Sequence, residues 1–351
     1  MFNPGNEIQD LQFFGEFGGV NPSISDSSTY TFMSAKTMFD TFEGNTDGCY
    51  LYSRHSSPSN LYLSDALARM EGTESAHVCG SGMGAITGVL MHVCKSGDHI
   101  VSSRTIYGGT YAFLKNFITG FGVGVDFVDI TKIDAILNAI NENTKVIYLE
   151  TVSNPLLEVA DIAAISKIAK ERNIKVIVDN TFTPLTISPA LLGADVVIHS
   201  LTKYINGSSD TVGGVICASQ DFINDIKNVN DGACMLLGST MDSLRSASIL
   251  KNLRTLPIRM QKHSENGLKL ARLFQADGIK TVYPGLESHP SHELFKSMYR
   301  DVYGFSGMIT IDAGTLEKAN ALMEMMQERN VGYLAVSLGF YKTLFSAPGT
   351  S

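Results

Sequence analysis

Residues 175–204 read KVIVDNTFTPLTISPALLGADVVIHSLTKY, and the fold is decided by two apolar runs within them. Neither KVIVDN nor ADVVIHS shows the polar alternation of a strand with one face in water. Both read as strands buried on both faces, the mark of a mostly parallel sheet held between helices. The first run ends at Asp179, and the second leads into Ser200, Thr202 and Lys203. In open α/β sheets ligands bind at the carboxyl ends of the strands. A lysine leaving a buried strand is costly without a counter-charge or a task, although singly it also fits a side chain reaching solvent. Singly, Asp179 also suits a helix N-cap or a metal ligand. Two successive strand ends, one with Asp and one with Lys beside hydroxyls able to donate to a phosphate, favour a bound cofactor.

The same pattern extends on both sides. Short β-rich runs at 99–103, 125–130, 145–150 and 213–219 alternate with helix-like stretches at 61–70, 133–141 and 162–172. Past residue 219 the alternation stops. Residues 241–276 read as a long helical stretch in which Pro257 marks a kink or break. Strand-like pieces at 280–283, 307–312 and 333–338, with a helix at 316–328, predict a smaller α+β domain. The first 55 or so residues are rich in Gly, Ser, Thr and Asn and lack periodicity, as in a disordered segment or an arm ordered by packing on something else.

A chain of 351 residues exceeds what one core usually serves, so a large domain and a smaller one are expected. With 44% hydrophobic and 18% charged residues the chain is globular. A net charge of -8 offers no footprint for nucleic acid or an anionic membrane. No apolar run reaches the ~18–20 residues of a membrane span. MFNPGNEIQD lacks a basic segment followed by an apolar one, so a cytoplasmic protein is expected. The cysteines at 49, 79, 94, 217 and 234 are scattered, form no close pairs along the chain, and read as buried free thiols of a reducing compartment.

A third element is CGSGMGAITGVL, residues 79–90. A strand ends at Cys79, and glycines 80, 82 and 84 open a helix whose free amides can hold a phosphate. A dinucleotide site would need an acidic residue ending the next strand, to bind ribose. That strand, HIVSSRT, ends in serines and an arginine, which disfavours NAD.

Eight motifs in order now carry a resemblance over nearly the whole chain: YSRHSSP (52–58), SGMGA (81–85), YGGTY (107–111), ETVSNP (150–155), VDNTF (178–182), HSLTKY (199–204), YPGL (283–286) and VSLG (336–339). The sequence resembles the Cys/Met-metabolism, or trans-sulfuration, family of fold-type I pyridoxal-phosphate enzymes. The resemblance implies an α/β fold with a large domain built on a mostly parallel seven-stranded sheet. A small C-terminal α+β domain follows. Residues 1–56 would be an arm completing a neighbouring subunit's site, 57–255 the cofactor domain, and 256–351 the small domain, apparently incomplete. Lys203 would carry pyridoxal 5'-phosphate as a Schiff base and move protons. Asp179 would keep the pyridine nitrogen protonated. Tyr107 would stack on the ring and act as acid or base toward the γ-substituent, and Asn154 would contact the phenolic oxygen. Gly82, Met83, Ser200 and Thr202 would hold the phosphate, with Tyr52 and Arg54 reaching it from another copy. Such sharing implies a homo-oligomer, a dimer or a tetramer, acting on a small amino-acid substrate.

The resemblance implies γ-elimination or γ-replacement on a sulfur amino acid or an O-acylhomoserine, of sulfhydrylase, cystathionine γ-synthase or methionine γ-lyase type. Cystathionine β- or γ-lyase activity, or a non-catalytic protein keeping the fold, are the alternatives. The family's carboxylate-binding arginine lies in a C-terminal R-x-S-x-G-like motif, which a chain ending in SAPGTS does not reach, so a missing tail is expected. Ser337 then stands as a contact near that carboxylate. Gly109 stands where dedicated methionine γ-lyases have a cysteine, and Val336 where animal-type cystathionine γ-lyases have a glutamate. Both departures weaken those two assignments without excluding them, and the reading that stands is an O-acylhomoserine sulfhydrylase or a broad γ-eliminating enzyme. His289 and His292 have the spacing of zinc ligands, but the family carries a similar stretch without metal, so none is expected.

Overall fold

The computed structural model describes residues 2–44 and 48–347, so the last four residues of the chain lie outside it. Helix α1 (Pro4–Gln9) starts at Asn3, whose side chain accepts the Gly5 N–H, with a proline at its first position. It buries Ile8 in the same core as the helix at 58–71, and the Tyr303 hydroxyl donates to Asn3 at 2.9 Å. The extreme N-terminus therefore belongs to its own chain's fold. Helix α2 (Ala35–Phe42) is capped by Ser34. Sequence periodicity missed both helices because neither exceeds eight residues. The stretch between them is largely irregular, as expected.

Helix α3 (Pro58–Glu71) runs from a Ser57 cap to a left-handed Gly72. Then follow β1 (Ser75–Cys79), α4 (Gly82–Val93), β2 (His99–Ser103), the one-turn α5 (Gly108–Ala112), β3 (Gly124–Val128), α6 (Ile133–Ala139), β4 (Thr144–Glu150), α7 (Ile162–Glu171), β5 (Lys175–Asp179), β6 (Val196–Ser200) and β7 (Gly214–Ala218). The seven strands make one sheet in the order β1-β7-β6-β5-β4-β2-β3. Strands β2 to β6 pair in parallel, and β7 runs antiparallel between β6 and β1. Alternation along each strand sorts its side chains between two cores. Tyr148, Ile177, Ile198 and Ile216 pack with Ile86, Val89 and Leu90 of α4. On the other face Val78, Val197 and Val215 meet α3, while Ile147, Val176 and Val178 meet Ile162 and Ile165 of α7. Both faces are dry, which is why these strands read as continuous apolar runs.

Beyond the sheet lie α8 (Gln220–Ile226), α9 (Ala233–Leu237), α10 (Ser243–Leu253) and α11 (Leu256–Ala276). The expected break in the long helical stretch falls at Arg254 and Thr255. Pro257 occupies the first turn of α11, where a missing N–H costs nothing. The Arg259 guanidinium donates to the carbonyls of Tyr204, Ile205 (2.8 Å) and Asn252 (3.2 Å), tying α11 to the turn that carries Lys203. The remaining elements are β8 (Thr281–Val282), α12 (His292–Met298), β9 (Thr310–Ile311), α13 (Leu316–Glu328), β10 (Gly332–Leu334) and β11 (Thr343–Phe345). Strands β8 and β9 pair antiparallel, and β10 and β11 in parallel. The stretch expected as a strand at 333–338 is a strand only at its start, which leaves Ser337 on a loop. The rings of His289 and His292 face the carbonyls of Leu157 (3.1 Å) and Pro284 (2.8 Å) and so spend an N–H on each. Among the described residues no helix is long and apolar enough to cross a membrane.

Candidate active site

Asp179 ends β5 and lies in register with Glu150, the last residue of β4. Its Oδ1 accepts the Thr181 N–H at 2.9 Å, and the Thr181 hydroxyl in turn accepts the Ser200 N–H at 2.8 Å. Two short contacts thus fix the end of β5 against the end of β6. Thr202 accepts the Gly213 N–H at 3.1 Å, which holds the turn after β6 against β7. Lys203 is partly buried on that turn, and its Nζ donates to Ser337 Oγ at 3.1 Å. Burial pulls its ammonium below the ordinary lysine range, so more of it is the neutral, nucleophilic amine at a given pH.

At the start of α4, Ser81 accepts the Gly84 N–H at 2.9 Å. The amides of Gly82 and Met83 are then the helix's leading donors, lacking helical partners as the first amides of any helix do. A β-carbon at Gly82 would come within 2.9 Å of the Ser200 Cβ and 3.0 Å of its Oγ, so only glycine lets the helix end meet that hydroxyl. Gly82 and Ser200, 118 positions apart in the numbering, thereby line one cradle.

Glu150 was read in sequence only as the end of a strand, yet it organises the site. One of its carboxylate oxygens accepts the Tyr107 N–H at 2.7 Å and the other the Asn154 N–H at 3.2 Å. A single buried side chain thus positions both loops that carry sequence-predicted site residues. Burial, and then the nearby Asp179 charge, push the Glu150 carboxyl well above the ordinary carboxylate range. Burial also raises Asp179, against the hydrogen bonds from Thr181 and the charge of His199. Among the described residues neither carboxyl makes an ion pair within 4 Å, so a cation bound at the strand ends would meet two buried acids with no other ionic partner, and would favour their charged forms. The Tyr107 ring stands 46% exposed at the mouth of this region.

Tyr52 and Arg54 are not drawn into this cluster. Both are exposed, with the Arg54 guanidinium stacked over the Tyr52 ring at 5.4 Å. Among the described residues no hydrogen bond joins them to the Gly82–Ser200 cradle.

The donor set suits one kind of group: a phosphate-bearing ring with a basic nitrogen and a carbonyl for a lysine. Helix amides and hydroxyls face the phosphate, a buried carboxylate the nitrogen, and a depressed amine the carbonyl. A family model for Cys/Met metabolism PLP-dependent enzymes matches residues 8–351. The chain belongs to this family. As a member of the Cys/Met metabolism family it is a pyridoxal-phosphate-dependent enzyme of sulfur amino-acid metabolism, and the residues above fit that cofactor. A methionine gamma-lyase of Arabidopsis thaliana is 44% identical over 99% of this chain and 81% of its own length. An O-succinylhomoserine sulfhydrylase of Pseudomonas aeruginosa is 35% identical over 96% of this chain and 81% of its own. Among solved structures, a putative O-acetylhomoserine (thiol)-lyase of Campylobacter jejuni carrying N'-pyridoxyl-lysine-5'-monophosphate superposes with a TM-score of 0.89 at 30% identity. That match covers 98% of this chain and 93% of the other.

Proposed function

We propose that the chain catalyses γ-elimination on L-methionine and related sulfur amino acids. The observation that carries the reaction class is that three neighbouring chain ends of one sheet bring together the depressed, partly buried amine of Lys203, the buried carboxyl of Asp179 and the Gly82–Ser200 cradle. The substrate reading is supported by the methionine gamma-lyases among the relatives, from Arabidopsis thaliana at 44% and from Fusobacterium nucleatum at 38% identity.

Each residue then has a task. The amides of Gly82 and Met83 and the hydroxyls of Ser200 and Thr202 bind the phosphate. Asp179 holds a proton on the ring nitrogen, and its own burial is offset by that positive charge. Asn154 contacts the phenolic oxygen. Lys203 would hold the cofactor through its Nζ and, as the free amine, would take a proton first from the substrate Cα and then from Cβ, so that the γ-substituent can leave. Ser337 steadies the Lys203 Nζ and lies near the substrate carboxylate. The Tyr107 ring covers the cofactor, and its hydroxyl delivers a proton to the departing sulfur at the γ-carbon. When bound, the cofactor supplies a sink for the electrons left at the substrate carbons.

Tyr52 and Arg54 serve the phosphate of a neighbouring copy, so the working unit is a homo-oligomer, a dimer or a tetramer of paired dimers. Residues 57–255 form the cofactor-holding unit and those from 256 onward the small domain. The protein works in the cytoplasm. A second reading, γ-replacement on an O-acylhomoserine, is favoured by the likeness to the Campylobacter jejuni structure and by Gly109 beside Tyr107.

The test is to supply L-methionine alone, and O-acetylhomoserine with sulfide, and to measure 2-oxobutanoate and homocysteine. 2-Oxobutanoate from methionine, lost in Lys203→Ala together with the visible band of bound cofactor, is the expected result. Homocysteine formation with no turnover of methionine would move the assignment to the second reading. Turnover surviving in Lys203→Ala would sink both.

A further inference from the structure

Outside the candidate active site, three side chains with the donor chemistry of a metal centre come together. His77 and Cys79 stand two residues apart on β1, so the period of a strand turns both to one face. Cys79 packs there with α4, while Ala76 and Val78 point the other way, toward α3. Cys234 reaches the same place from α9. Helix α4 leaves room for it at Gly88, where a β-carbon would come within 2.9 Å of the Cys234 sulfur. A ring nitrogen of His77 and the sulfurs of Cys79 and Cys234 lie within 4.8 Å of one another. Zinc–sulfur bonds of ~2.3 Å and zinc–nitrogen bonds of ~2.0 Å put donors about 3.3–4 Å apart, so the three need draw in by only roughly 1 Å.

We propose that His77, Cys79 and Cys234 form a zinc site of the two-cysteine, one-histidine kind directly beneath the phosphate cradle. Both sulfurs are buried. Two thiolates neutralise a divalent zinc, so the loaded site leaves no net charge inside the protein. Lys227, the cation facing the cluster, is itself offset by Asp65. The Ser239 hydroxyl hydrogen-bonds the Cys79 sulfur, the kind of outer contact that orients metal-bound thiolates. Cys79 immediately precedes the turn into α4, and the Gly80 N–H donates to the Ser239 carbonyl at 3.3 Å. Zinc there fastens α9 and the Ser239 segment that follows it to the base of that turn. The inference does not depend on which cofactor or substrate the cradle takes.

The test uses the whole protein as purified, freed of metal by dialysis against a chelator. Zinc uptake is measured by equilibrium dialysis, and the zinc environment by X-ray absorption. One zinc per chain at about micromolar free zinc, with two sulfurs and a ring nitrogen in its shell, is the expected result. Cys234→Ser and His77→Ala are expected to weaken binding at least about tenfold, while Cys94→Ser, a buried thiol elsewhere, leaves it unchanged. A sulfur-free shell in the wild-type protein, or no uptake at that concentration, overturns the proposal even if a variant fails to fold. Binding undiminished in Cys234→Ser overturns it as well.

Discussion

Tyr107 separates a catalytic from a structural side chain more cleanly than any other residue of the site. Its backbone is fixed by Glu150, so replacing the side chain leaves the loop in place. Tyr107→Phe keeps the ring that covers the cofactor and removes only the hydroxyl. Cofactor occupancy is therefore expected to survive while turnover of L-methionine falls ~10²–10⁴-fold, the usual range for one acid–base group. Were the tyrosine mere packing, phenylalanine would leave the rate unchanged and cost about 1 kcal/mol of stability at most. Occupancy and turnover measured on the same preparation decide between them. Tyr107, Lys203 and Asp179 were legible in the sequence because each stands inside a motif that names it. Glu150 stands inside ETVSNP too, but nothing in that run reveals that its two oxygens face two different loops.

Glu150 has its meaning between elements, where β4 meets β5 in register. Its carboxyl, like that of Asp179, is raised by burial, so the folded chain holds the proton more tightly than the unfolded one. Stability from such a group is fully present below the ordinary carboxylate range and is lost as pH rises through the raised value. In the cofactor-free protein, thermal melts are expected to fall as pH climbs from about 4.5 upward, and Glu150→Gln should flatten that fall. An unchanged slope in the variant would assign the effect elsewhere. The same distinction between local and non-local explains the rest of the reading. The strands of the sheet were visible as apolar runs, and α4 as a glycine-led helix start. Invisible were α1 and α2, each too short to show a period, and the meeting of Cys79 with Cys234. Spacing along the chain kept those two apart, and only the packing of α4 on α9 joins them.

For the whole molecule, the irregular segment around α2 poses a burial problem. Phe14, Phe17, Met33, Phe39 and Phe42 are all exposed on the single chain, Phe17 completely. So dense a set of large apolar side chains marks a surface made for covering, and under the proposed sharing of sites a second copy would cover it and account for the outward Tyr52 and Arg54. Changing Phe39 and Phe42 together to Ser should shift the assembly toward monomer in sedimentation and lower cofactor retention. By contrast, removing residues 1–10 should destabilise each chain, because α1 buries Ile8 in its core. An unaltered assembly in the Phe39/Phe42 variant would exclude this surface from the interface.

The place of β7 bears on how the protein is made. Among the described residues, strand β1, which leads into the phosphate cradle, pairs within the sheet only with β7, with Ser75 opposite Ala218 about 140 residues later. Strand β6, which delivers Lys203, borders β7 on its other side. As the chain leaves the ribosome, the cradle and the lysine can meet through the packing of α4 on β6, but the ladder that ties β1 to β6 is incomplete until residue 218 has emerged. So distant a closure is slow by nature. Firm hold on the cofactor is therefore expected late in synthesis, when β7 zips between β1 and β6 and locks the strand that leads into the cradle.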